Sequence, residues 1–120
     1  MLDRVDFEPT GVVCTYSGFA NLQDILEAVQ KYLMHPDCSR FKYIVHDLSN
    51  VTLFDFKEVE FEGLVTYAMK HYQDADYVPR CAVTRNDTVR RSLTLYAELT
   101  GREWIFVSTL SDARNWAGTV

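Results

Sequence analysis

The stretch "GVVCTYSGFANLQDILEAVQKYLMHP", residues 11–36, changes its hydrophobic period half-way. Its first part is apolar and rich in β-branched and aromatic residues, which suits a pleated, half-buried strand. From Leu22 onward the apolar residues Leu22, Ile25, Leu26, Val29 and Leu33 recur at spacings of three and four, the stripe of an amphipathic helix. Asn21 offers a side-chain oxygen to the first unpaired backbone N–H groups, and Asp24 lies at the positive end of the helix dipole. Pro36 ends the helix, because the residue before a proline is pushed out of the helical region. A strand that feeds straight into such a helix commits the chain to layers of sheet and helix.

The same alternation repeats. "FKYIVHDL" (41–48) reads as a mostly buried strand, and "VTLF" (51–54) either extends it or forms a short turn of its own. Asp55 and Glu58 have capping-box spacing, and Val59, Gly63, Leu64, Tyr67, Ala68 and Tyr72 carry a helical pattern to about Gln73. "RCAVTR" (80–85) is the next strand. Asn86 or Asp87 caps a helix bearing Val89, Leu93, Tyr96 and Ala97, and Gly101 stops it. "EWIFVS" (103–108) is the last strand, and Thr109 and Asp112 start a short final helix with Ala113, Trp116 and Ala117 inward. At the front, "RVDFE" (4–8) and the strand at 11–18 are separated by Pro9 to Gly11, a hairpin loop, so this pair is antiparallel. The order ββαβαβαβα predicts one α/β domain over 1–120, with a mixed, mostly parallel sheet of about five strands and about four helices.

A 48% hydrophobic content is enough for a core without staples, and a net charge of -5 opposes nucleic-acid binding. Cys14, Cys38 and Cys81 lie far apart with no C-x-x-C, which fits a reduced, cytoplasmic chain. Cys14 and Cys81 fall in apolar runs and read as small buried hydrophobes. No apolar run approaches the roughly 20 residues of a membrane span. His35, His46 and His71 do not pair at i, i+4 with another His or Cys, so no metal is expected. No nucleophile elbow, P-loop or dinucleotide fingerprint is present, so neither an enzyme nor a cofactor is expected.

Three features resemble the SpoIIAA-like proteins of the STAS superfamily (sulfate transporter and anti-sigma factor antagonist). They are the opening hairpin followed by an amphipathic helix, the segment "DLSNVTLFDF", and the tail "LYAELTGREWIFVSTLSDARNWAG" with its strand, acidic-capped helix and Trp. The resemblance covers nearly the whole chain. It implies a SpoIIAA-like fold and a non-enzymatic regulatory role exercised through a protein partner. In antagonist members a Ser just after the second acid of this segment is phosphorylated by a kinase partner. Here that position is Phe56, which has no hydroxyl to accept a phosphoryl group. Ser49 and Thr52 are the hydroxyls left in the segment, and phosphorylation at either stays open.

Two surfaces are candidates. Asp47, Ser49, Asn50, Phe54, Asp55 and Phe56 form a partner surface at the carboxyl end of a central strand, where open α/β sheets bind ligands. The alternative is that Ser49 and Asn50 make a turn, Asp55 caps a helix, and Phe54 and Phe56 staple it from inside. Arg85, Arg90 and Arg91 lie at a helix N-terminus and would bind an anionic or lipid-like small ligand at the mouth of an apolar pocket. The alternative there is a solvated face paired to acids such as Asp87. Phe61, Tyr67 and Tyr72 on the second helix suggest a homodimer.

Overall fold

The computed structural model describes residues 1–55, 78–101 and 103–120. Within them lie five strands, β1 (Leu2–Phe7), β2 (Gly11–Asn21), β3 (Tyr43–Asp55), β4 (Arg80–Val83) and β5 (Trp104–Val107), in one sheet of order β1-β2-β3-β4-β5. β1 pairs antiparallel with β2, and the three pairs that follow are parallel. Three α-helices are described, α1 (Leu22–Leu33), α2 (Asp87–Thr100) and α3 (Leu110–Ala117), with a 3₁₀ turn at Cys38–Arg40. The helix expected from Asp55 to Gln73, with Phe56, Phe61, Gly63, Tyr67, His71 and Tyr72, falls outside the described residues apart from Asp55. Asp55 is the last residue of β3.

The caps follow the side chains. Asn21 and Asp24 form a reciprocal capping box on α1, each side chain accepting from the other's backbone N–H at 3.0 Å. Asn86, rather than Asp87, caps α2 by accepting from the N–H groups of Thr88 and Val89. Gly101 ends α2 in the left-handed region at φ 67. Thr109 caps α3 through the N–H of Asp112.

Alternation along the strands divides the core between the two faces of the sheet. Val12, Cys14, Tyr16, Ile44, Leu48 and Ala82 join the larger cluster with α1 and α2. Val13, Val45, Cys81 and Val83 point the other way, to Ala113 of α3. Trp104 belongs to the first cluster and Trp116, half-buried, to the second. Cys14 and Cys81 are fully buried, and burial pushes their thiols up to about 12 and about 11.

α3 is fastened to the front hairpin. Arg114 donates to both oxygens of Glu8, at 2.5 and 2.8 Å, and the Tyr43 hydroxyl donates to the same carboxylate. The Arg114 hydrogen bond is the main reason the Glu8 carboxyl is held below its usual range. Glycine at residue 11 leaves room for Tyr43, since a Cβ there would come within 2.2–2.5 Å of three ring atoms and the ring would have to shift.

β3 runs on without a turn. Ser49 and Asn50 stay in the strand, and Val51 to Asp55 pair with Gly18 to Asn21 of β2. The register shifts twice, between Thr15 and Ser17 and between Gly18 and Phe19, and each time β3 carries one residue more than β2. Such bulges absorb an irregular stretch while pairing continues, and they bend the strand. Gly18, at φ 60, takes the left-handed conformation beside the second shift. No described helix is long and apolar enough to cross a membrane.

Candidate functional site

β4 accompanies β3 only from Ile44 to Asp47. Beyond that point, among the described residues, β2 and β3 continue together as a ribbon, with Met1 bonded along the outer edge of β2 at Ser17 and Phe19. Its underside is tied to the core by Ala20, Val51 and Phe54, which are 0%, 9% and 4% exposed. Its outer positions hold Phe19 and Leu53, direct neighbours in the register and 51% and 59% exposed. Exposed Ser49, Asn50 and Thr52 complete the ribbon. Two large apolar side chains side by side in water mark a contact surface more than scattered single ones do.

The expected partner residues therefore divide. Ser49 and Asn50 are exposed and Asp55 is half-buried. Phe54 is inside and anchors the ribbon from below, and the exposed apolar side chains of the ribbon are Phe19 and Leu53. Asp47 is also buried, on the face opposite His46, and its carboxylate accepts from the Ser49 N–H at 3.1 Å and the Ser49 hydroxyl at 2.5 Å. Phe56 lies outside the described residues. Counting by twos from His46 and Leu48 puts Phe54 on the inner face, where it is, and the residue the bulges displace is Val51, which turns inward between them. An extra residue reverses which positions face inward.

Arg85, Arg90 and Arg91 are all exposed. Arg90 and Arg91 line an open groove on α2 that also carries Asp87 and Glu98, and the Arg90 guanidinium rests over the Phe106 ring at 5.5 Å. Arg85 does not line that groove. These arginines do not line the more enclosed of the two cavities described. A cavity of about 360 Å³ opens before the start of β4 and β5, among Val78, Pro79, Glu103, Ile105, Trp116 and Val120. The arginines follow the other end of β4.

Sequence reasoning passed over a buried polar band on the α1–α2 face. Tyr16 and His46 are both fully buried, and the Tyr16 hydroxyl lies 2.8 Å from His46 Nδ1. His46 stacks on Trp104, with centroids 5.0 Å apart and planes inclined by 19°. Arg80, 2% exposed, donates to the Tyr32 hydroxyl at 3.1 Å and lies over the Trp104 ring at 5.6 Å. Burial and then the charge of Arg80 bring the His46 pKa down to about 3, so the imidazole is neutral at ordinary pH. The signal in the sequence was period two: His46 shares a strand face with Ile44 and Leu48, and a buried imidazole needs partners.

A five-stranded, mostly parallel sheet with one antiparallel edge strand and helices on both faces is an α/β architecture consistent with a SpoIIAA-like fold. The chain superposes on the anti-sigma factor antagonist SpoIIAA in its unphosphorylated form with a TM-score of 0.62 at 12% identity, covering 98% of each chain. An uncharacterised DUF3478-family protein of SpoIIAA-like fold from Shewanella loihica PV-4 gives a TM-score of 0.59 at 12% identity, over 95% of this chain and 92% of that one. At such identity the likeness is one of fold. No protein-family model matches the sequence, and no curated protein does.

Proposed function

We propose that this chain is a non-enzymatic interaction module of the SpoIIAA type, and that the projecting β2–β3 ribbon is its partner surface. The observation that carries this is the exposed Phe19–Leu53 pair, held on a bent ribbon whose other face is buried. Ser49, Asn50 and Thr52 supply hydrogen bonds around it, and Asp55 a carboxylate at its end. The resemblance to an anti-sigma factor antagonist supports a protein partner, which includes a second copy of this chain. With Phe56 in the position of the acceptor Ser, contact at this surface works by shape and not by a phosphoryl switch there.

The test is Phe19→Ser combined with Leu53→Ser. Both side chains are exposed, so the fold tolerates the change. Co-purified partners and the oligomer mass by light scattering are then compared with the parent, and loss of a partner or of the dimer is expected. An unchanged partner set and an unchanged mass remove the ribbon as the contact surface.

A small-ligand carrier is the second reading, favoured by the cavity of about 360 Å³ beside Trp116 and Ile105. That volume lies at the low end of ligand pockets, roughly 300–1,000 Å³. Native mass spectrometry after expression in lipid-rich cells tests it. A chain with no bound molecule ends that reading.

A further inference from the structure

The buried band on the α1–α2 face contains donors without acceptors. The Tyr16 hydroxyl is raised well above its ordinary pKa by burial, so it keeps its proton. Its hydrogen-bond partner among the described residues is His46 Nδ1. A buried O–H left undonated is costly, so it donates to Nδ1, and the one proton of the neutral imidazole is on Nε2. His46 Nε2 is buried and has no hydrogen-bond partner among the described residues. The same is true of Trp104 Nε1, and an indole nitrogen can only donate.

The two rings belong to strands that are not neighbours. β4 lies between them, and the β4 residue level with His46 is Ala82, whose side chain is one methyl group. That small residue lets the imidazole of β3 and the indole of β5 stack across β4. Two N–H donors are thus carried on stacked rings, inside a core, beside the positive charge of Arg80. The large majority of buried polar groups in native cores have a hydrogen-bond partner, and a buried polar site with two or more donors is where an internal water or ion settles.

We propose that the core beside His46 and Trp104 holds a small oxygen acceptor, hydrogen-bonded by His46 Nε2–H and Trp104 Nε1–H. The acceptor is a long-lived water or a small oxyanion taken from solution. Its seat on the sheet ties β3 to β5 over β4, independently of anything the ribbon does.

Side-chain NMR of the full ¹⁵N-labelled chain tests this without altering it. The indole signal is assigned by its loss in Trp104→Phe and the imidazole signal by its loss in His46→Phe. In the first arm, cross-relaxation from a slowly exchanging water to both N–H protons identifies water as the guest. In the second, titration with sodium formate against sodium chloride at equal ionic strength identifies an oxyanion, through a saturable shift of both signals. A positive result for both protons in either arm supports the site. Absence of a water contact together with no formate shift overturns it, as does an imidazole proton found on Nδ1.

Discussion

From Tyr43 to Leu48, β3 has every side chain buried or half-buried, with β4 alongside as far as Asp47; from Ser49 to Asp55 it pairs, among the described residues, with β2 alone, and four of its seven side chains are exposed. The two halves are not separated by hydrophobicity, since "VTLF" is as apolar as many core strands. They differ in the number of neighbours each receives. The first half sits mid-sheet between two layers of helix, while the second half keeps one strand and one covered face. A strand's burial is therefore a property of the fold around it, and a partner surface can be made by letting two strands outrun the sheet.

The sharpest way to break this comparison is one substitution made in each half. Leu48→Ala empties a site that is 1% exposed, and is expected to cost about 2–5 kcal/mol in urea unfolding at an unchanged m-value. A cost near zero would mean that the first half is not core. Acid titration probes the same half through His46. Its folded pKa of about 3 lies below the unfolded value of 6.5, so the unfolded state binds the extra proton between them. Stability is then intact above pH 6.5 and falls as pH drops, by about 2–3 kcal/mol between pH 6.5 and pH 4.5. His46→Phe should flatten that slope, and an identical slope in the variant would assign it to other groups.

Tyr16→Phe leaves His46 Nδ1 without its donor inside the core, at an expected cost of about 1–3 kcal/mol. Glu8→Ala removes the half-exposed anchor of α3 and should cost under about 1 kcal/mol, read as a small drop in the urea midpoint. Smallest of all is Leu53→Ala on the ribbon, within about 0.5 kcal/mol of the parent. A large effect there would show the ribbon to be packed and not presented.

Most of the strand and helix order could be read from local chemistry. Asn21, Asn86, Gly101 and Thr109 each do what their side chains, or the lack of one, dictate at a helix end, and these signals need only a few residues. What escaped depended on distant ones. That Val51 to Asp55 continue β3 is decided by β2 extending to Asn21 about thirty residues earlier. Ser49 and Asn50 looked like a turn because their propensities are local, while two bulges keep them in the strand. The Tyr16–His46–Trp104 band joins three strands, and no window of sequence contains it.

Gly11 shows how far a missing atom can reach. The space its side chain leaves is filled by the Tyr43 ring, whose hydroxyl grips Glu8, and Glu8 grips Arg114, 106 residues further along the chain. Alanine at that point would evict the ring and slacken a clasp between the opening hairpin and the closing helix. A change at one of the smallest residues, itself buried, is thereby felt as far away as Arg114.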